Sequence, residues 1–102
     1  MRIGYIRVST EKQNPDNQRE EIRRFAEEKS FEIDDWITET VSGKTRYRKR
    51  KLGRVLRKLK AGDTLVVTEI SRLSRSLTEI MEIMGYCVER GICVDTTKER
   101  YT

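Results

Sequence analysis

The sequence contains no histidine, and that absence restricts the chemistry available to it. A serine nucleophile is commonly activated by a neighbouring base, so the Ser-His pairing of many hydrolases is excluded. Cys87 and Cys93 lack the spacing of a zinc site, and we expect both to be small core residues in a reducing compartment. A Walker-type phosphate loop and a cluster of metal-binding carboxylates are also missing, which argues against a small phosphohydrolase or nucleotide-binding protein.

Long apolar segments are missing as well. The residues from Met1 to Gly4 lack the apolar core of a secretion signal, and no run approaches membrane-spanning length. A chain of 102 residues suits one domain with one core. These features predict a soluble, cytoplasmic protein without a membrane partner.

Positive charge is in excess, since 22 lysines and arginines outnumber 17 acidic residues and give a net charge of +5. This excess favours an anionic partner, with nucleic acid the first candidate, although a solvated lysine-rich surface would give the same total. We interpret the segment 39–51 as a mobile loop over a polyanion, with a plain solvated loop as the alternative. Its basic residues are Lys44, Arg46, Arg48, Lys49, Arg50 and Lys51.

The order of the apolar segments predicts an α/β fold with a mainly parallel sheet. Strands are predicted at 1–8, at 31–33 with 36–37, at 64–68 and at 92–94. Helices are predicted from Pro15, along an apolar stripe that starts at Leu52, and from the capping box at Ser76 to Gly91. The core-facing side of the last helix is predicted to comprise Leu77, Ile80, Met81, Met84, Cys87 and Val88.

A serine and three arginines are predicted to meet at the carboxyl edge of this sheet. Arg7 and Ser9 lie two residues apart at the end of the first strand, so their side chains share a face. Arg72 and Arg75 follow the third strand and lie three residues apart, as neighbours in a helical turn. Arginine stays protonated but grips phosphate, so this grouping points to phosphoryl transfer rather than acyl transfer. The alternative is that the arginines form surface ion pairs and the serines cap helices.

The sequence resembles the catalytic domain of the serine recombinases, the resolvase and DNA invertase family. The resemblance covers nearly the whole chain, in order and at the family's spacing. It is carried by Tyr5-Ile6-Arg7-Val8-Ser9-Thr10 with Gln13 and Gln18, by Ser42-Gly43, by Gly62-Asp63-Thr64-Leu65, and by Arg72-Leu73-Ser74-Arg75-Ser76-Leu77. Lys51-Leu52-Gly53 and Ile70-Ser71-Arg72-Leu73 are most similar to the master DNA invertase branch.

The resemblance implies a resolvase-like, three-layer fold with a four- to five-stranded sheet. It also implies that Ser9 attacks the scissile phosphate of double-stranded DNA to give a 5′-phosphoserine link and a free 3′-hydroxyl. Arg7, Arg72 and Arg75 would bind the phosphate and Gln13 would support the site, with no metal, cofactor or small-molecule substrate. Contacts with DNA are expected from Arg48, which matches the family's loop arginine, and from Gln18, Lys44 and Arg46.

The family's long dimerisation helix and separate DNA-binding domain are not visible in residues 1–102. We expect the intact protein to form a homodimer, to assemble into a synaptic tetramer and to associate with the nucleoid, and we expect this segment alone to be inactive. Ser71 and Ser74 stand where the family commonly has aspartate and glycine. The aspartate's loss leaves open an alternative function, a non-catalytic regulator that binds DNA or a partner protein.

Overall fold

A four-stranded parallel sheet forms the centre of the computed structural model, which describes residues 1–42 and 44–98. Its strands are β1 (Arg2–Val8), β2 (Asp35–Thr40), β3 (Thr64–Val67) and β4 (Cys93–Thr96), in the order β2-β1-β3-β4. Every pair in this order is parallel, so all four strands end at the same edge. The predicted α/β fold with a parallel sheet is confirmed.

Three helices cover the two faces of the sheet. They are α1 (Asp16–Glu28), α2 (Lys51–Lys58) and α3 (Leu77–Arg90), and short 3-10 turns lie at Tyr47–Lys49 and Ile70–Arg72. On one face, Ile22 of α1 packs on Ile6 and Val66. On the other, Leu52 of α2 and Ile83 of α3 join the larger core. The predicted three-layer arrangement is therefore present.

Two of the predicted boundaries are wrong. Residues 31–33 are not part of β2, because Phe31 and Ile33 pack beside the α1 core while the strand begins only at Asp35. The segment 39–51 is also more ordered than predicted, since β2 extends to Thr40 and a 3-10 turn precedes α2. Gly43, which belongs to the predicted loop motif, lies outside the described residues.

The predicted core-facing side of α3 is also partly wrong. Leu77, Met81 and Val88 are 72%, 66% and 75% exposed, whereas Ile83 and Cys87 are buried. The helix therefore presents a different side to the core, and Glu79, a polar residue that is only 6% exposed, lies on that side. Ser76 does cap α3, since its hydroxyl accepts a hydrogen bond from the Glu79 amide at 3.2 Å. The Glu79 carboxylate, however, does not complete the predicted capping box and instead pairs with arginines.

Candidate active site

Arg7 joins three segments at the carboxyl edge of the sheet. Its side chain is almost fully buried, with 2% of the residue exposed. The guanidinium donates to the carbonyl oxygens of Ser71 at 2.9 Å, Arg72 at 2.9 Å and Val41 at 3.1 Å. It therefore connects the end of β1 with the segment after β2 and with the loop before α3.

The hydroxyl group of Ser9 accepts a further hydrogen bond from Arg7. The distance from Arg7 Nη1 to Ser9 Oγ is 3.2 Å. A hydrogen bond from a cation stabilises negative charge on its acceptor, so this contact favours ionisation of the hydroxyl. Ser9 is half-buried, so its hydroxyl is supported from inside the protein and is still accessible.

Two glutamines hold this end of β1 from opposite sides. The backbone amide of Ser9 donates to Gln13 Oε1 at 2.6 Å, which fixes the turn that follows the strand. Gln18 Nε2 donates to the carbonyl oxygen of Arg7 at 3.0 Å. Gln13 is exposed, whereas Gln18 is 8% exposed and lies in the interior. Gln18 thus lies behind Arg7 with little of its surface exposed.

The paired arginines take different positions. Arg72 lies beside Arg7 and donates from Nη1 to the Arg7 carbonyl oxygen at 3.3 Å. Arg75 is exposed, and its side chain has no hydrogen bond or ion pair with any described residue. Burial is the main cause that lowers the pKa of Arg7, and the charges of Arg72 and Arg75 act in the same direction. Of the three arginines, Arg75 is the one most free to bind an anion.

The predicted DNA-binding loop is bound to α3 through ion pairs. Arg46 Nη2 lies 3.2 Å from Glu82 Oε2, and Arg48 Nη2 lies 3.5 Å from Glu82 Oε1. Arg46 Nε is also 3.3 Å from Glu79 Oε2. Lys44 is exposed, and its side chain forms no ion pair within the part of the chain that the structure describes. Of the three loop cations predicted to contact DNA, Arg46 and Arg48 are thus paired with carboxylates in this conformation.

Sequence reasoning missed a buried polar network beneath the site. Arg50 belongs to the segment interpreted as a mobile loop over a polyanion, yet its side chain is 0% exposed. It donates to the Leu73 carbonyl oxygen, contacts the Tyr5 hydroxyl at 3.4 Å and lies 3.6 Å from Glu79. Burial, followed by the hydrogen bond to Glu39, raises the pKa of Tyr5, which stays a phenol and donates to Glu39. The sequence gives no local signal for this network, because Arg50 stands in a run of basic residues and Glu79 stands at a helix-capping position.

A polar cleft of about 310 Å³ opens beside Arg72, and Gln13, Gln18 and Thr68 are among the residues that line it. Gln18 Oε1, Thr68 Oγ1 and Arg72 Nε are buried and have no hydrogen-bond partner among the described residues.

In residues 1–42 and 44–98 there is no group of three or more His, Cys, Asp or Glu side chains that could hold a metal ion. No helix of this same part is long and apolar enough to cross a membrane.

A parallel α/β sheet that presents a serine among arginines at its carboxyl edge is an arrangement suited to bind an anionic group such as phosphate. The chain matches the resolvase family, described as "Resolvase, N terminal domain", over residues 2–102, and it belongs to that family. It is 42% identical over 92 residues to the serine recombinase gin of Escherichia phage Mu, a match that covers 90% of this chain. It is 34% identical over 98 residues, or 96% of the chain, to the Tn21 transposon resolvase of Escherichia coli.

Solved structures agree with this assignment. The N-terminal catalytic domain of TP901-1 integrase superposes with a TM-score of 0.83 and 25% identity, over 95% of this chain and 78% of that one. The C-terminal catalytic domain of ISC1926 TnpA, an IS607-like serine recombinase, matches with a TM-score of 0.76 over 97% of this chain and 70% of that one, at 21% identity, and supports the fold alone. The predicted family is therefore confirmed.

The match covers 44% of the phage Mu recombinase and 47% of the Tn21 resolvase. The chain thus spans about half the length of these curated relatives.

Proposed function

We propose that this chain is the catalytic domain of a site-specific DNA recombinase, an invertase or resolvase, in which Ser9 is the nucleophile. The observation that carries the proposal is the hydrogen bond from Arg7 Nη1 to Ser9 Oγ at 3.2 Å, beside a second arginine, Arg72. A hydroxyl supported by cations suits attack on an anionic phosphodiester. Its family membership supports the same reaction.

In the proposed step, Ser9 Oγ forms a bond to the scissile phosphorus and the bond from phosphorus to the 3′-oxygen breaks. Ser9 loses its hydroxyl proton, and the departing 3′-oxygen gains one to become a hydroxyl. The 5′-phosphate then stays on Ser9 as a phosphodiester. Attack by the 3′-hydroxyl of an exchanged strand reverses these changes, so strand joining requires neither ATP nor a metal ion.

The three arginines have distinct roles in this mechanism. Four of the hydrogen bonds that Arg7 can donate are already used within the protein, so we assign to it the positioning and ionisation of Ser9. Among the described residues Arg75 has a free guanidinium, and Arg72 lines the polar cleft beside the site. These two side chains are suited to bind the non-bridging oxygens, where charge stabilisation is the main source of phosphoryl-transfer catalysis.

Lys44, Arg46 and Arg48 are proposed to bind the phosphates that flank the scissile bond. For Arg46 and Arg48 this requires an exchange, because both are paired with Glu82. DNA phosphates offer anionic oxygen acceptors in greater number than α3 does. Because exposed ion pairs are weak, the loop arginines can exchange Glu82 for DNA at a small cost in free energy. Gln18 is proposed to act through Arg7, since it is buried.

Replacing Glu82 with glutamine is expected to strengthen DNA binding by roughly threefold at low salt, because the carboxylate no longer competes for Arg46 and Arg48. Binding is measured by fluorescence anisotropy with labelled duplex DNA. Glu89→Gln is the matched control, because it removes the same charge from α3 while its carboxylate, 79% exposed, contacts Arg90 instead. Equal effects of the two substitutions would show that net charge alone, not release of the loop, is responsible.

The intact protein is proposed to contain a dimerisation helix and a DNA-binding domain after this chain, and to act at the nucleoid as a homodimer that joins a synaptic tetramer. The exposed Leu77, Met81 and Val88 of α3 support the assembly proposal, because they form an apolar surface on a charged domain. Residues 1–102 alone are expected to bind DNA weakly.

Trapping of a covalent intermediate tests the proposed function. The intact protein is incubated with supercoiled DNA that carries the sequences flanking its own gene, under conditions that block strand exchange. A protease-sensitive protein–DNA adduct with a free 3′-hydroxyl is expected. DNA binding without any adduct would contradict the recombinase and would favour the non-catalytic regulator instead.

A further inference from the structure

A carboxylate outside the serine–arginine group makes direct contact with it. Glu69 lies just after β3, and its Oε1 is 3.2 Å from Nη2 of Arg72. Both side chains are partly shielded, with 29% of the glutamate and 26% of the arginine exposed. The carbonyl oxygen of Glu69 also accepts a hydrogen bond from the Arg72 amide at 3.1 Å. Backbone and side chain of Glu69 therefore both hold the same arginine.

This contact fixes the direction of the Arg72 guanidinium. Nη1 is bound to the Arg7 carbonyl oxygen and Nη2 to Glu69, so two ends of a planar group are fixed at once. A guanidinium with two fixed nitrogens has little rotational freedom left. The neighbouring cations Arg7 and Arg75 would repel an unpaired Arg72, and the carboxylate offsets that repulsion.

The glutamate is itself held by the segment that leaves β4. Lys98 Nζ lies 3.8 Å from Glu69 Oε2, the oxygen that is not closest to Arg72. The Lys98 amide donates to the Thr68 carbonyl oxygen at 3.1 Å, and its ammonium is also 3.8 Å from Glu21 of α1. Thr97 donates to the same Glu21. Residues 97 and 98 are thus attached to both α1 and β3 next to the site.

Ser71, the residue directly before Arg72, does not take part in this orientation through its side chain. It is exposed, and its carbonyl oxygen is the group that contacts Arg7. Apart from Glu69, no acidic side chain among residues 1–42 and 44–98 forms an ion pair with Arg72. Orientation of this arginine therefore depends on a carboxylate three residues upstream.

We propose that Glu69 is the positioning residue for Arg72 and that Lys98 holds Glu69 in the orientation this requires. The inference rests on the proposed function, because it assigns Arg72 to the scissile phosphate. It also links the first residues after β4 to the active site. If the chain moves at Lys98, the Glu69 carboxylate moves with it and changes the orientation of Arg72.

Two substitutions in the intact protein test this proposal. Glu69→Gln keeps the size of the side chain but removes its charge, and misorientation of Arg72 is expected to slow formation of the covalent adduct by roughly tenfold to a hundredfold. Lys98→Met, at an exposed position, is expected to slow it by roughly threefold. Affinity for DNA is expected to change by less than about twofold in Glu69→Gln, since the DNA-contacting cations are all retained.

The double variant separates positioning from independent structural effects. If Lys98 acts through Glu69, then the Glu69→Gln and Lys98→Met changes together slow adduct formation no more than Glu69→Gln alone. Glu20→Gln is the control, because that carboxylate is also paired with arginines, 3.4 and 3.7 Å away on α1, but lies outside the site. It is expected to leave the rate unchanged.

The outcomes distinguish this proposal from the one on which it rests. If the wild-type protein forms no adduct, the recombinase function fails and the role of Glu69 fails with it. If the wild type forms the adduct and Glu69→Gln forms it at the same rate, only the positioning role is overturned. If the double variant forms the adduct more slowly than Glu69→Gln, by the further factor seen for Lys98→Met alone, then Lys98 does not act through Glu69 and its proposed role is overturned.

Discussion

Replacing Ser9 with alanine in the intact protein is expected to abolish the covalent protein–DNA adduct while DNA binding persists. The expected loss is on the order of 10³-fold or more, because no other group can substitute for the attacking atom. The measurement compares adduct yield on denaturing gels with affinity from anisotropy. Retained affinity shows that the loss concerns bond formation and not folding.

Thr10→Ala is the matched control for this experiment. Thr10 provides a second hydroxyl at the adjacent position, is exposed, and contributes its backbone oxygen, not its side chain, to the turn that ends at Gln13. Its removal is expected to leave the adduct yield within about twofold of the wild type. If the adduct persists in Ser9→Ala and disappears in Thr10→Ala, then Thr10 is the nucleophile and the role proposed for Ser9 is wrong.

Replacing Arg50 with methionine is expected to lower the free energy of unfolding by about 3 kcal/mol. The substitution removes the cation beside Glu79, which is 6% exposed, and leaves the Leu73 carbonyl oxygen without this donor. Urea unfolding followed by the fluorescence of Trp36, the single tryptophan of the chain, measures the change.

Arg48→Met is the control for the buried arginine, because it removes an equal charge two residues away. Arg48 is 66% exposed and its ion pair with Glu82 is solvated, so a loss of about 0.5 kcal/mol or less is expected. Combining Arg50→Met with Glu79→Leu removes both buried charges and is expected to restore at least about 1 kcal/mol. Equal losses for Arg48→Met and Arg50→Met would contradict the buried network.

The alternation of side chains along a strand was sufficient to predict the centre of the site. Arg7 and Ser9 lie two residues apart, and their side chains do meet at the carboxyl edge of the sheet. The position of Arg72 followed from the rule that parallel strands end at a common edge. Both inferences depend on local geometry that the sequence pattern determines.

Other features depend on tertiary packing and could not be predicted in this way. Arg50 belongs to a run of basic residues that predicts a mobile loop over a polyanion, and only the approach of Tyr5 and Glu79 explains its burial. Apolar residues lie on more than one side of α3, and Met81 is exposed while Ile83 is buried. Periodicity identifies an apolar helix face but does not show which part of it faces the sheet.

The family resemblance identifies departures from the motif but not the contacts of residues outside it. It drew attention to the missing carboxylate at Ser71 but gave no indication that Glu69 contacts Arg72 at 3.2 Å. That contact depends on the 3-10 turn at Ile70–Arg72, which brings residues three apart onto the same side. In the positioning role proposed for it, Glu69 supplies from outside the motif the carboxylate that position 71 lacks.

Mass spectrometry of the trapped adduct tests the central claim most directly. The adduct is digested with nuclease and protease, and the peptide that retains a nucleotide is sequenced. The account predicts a nucleotide joined through its 5′-phosphate to Ser9, on the peptide that contains Val8 and Thr10. A nucleotide on any other residue, or a link through a 3′-phosphate, would contradict the mechanism proposed for this site.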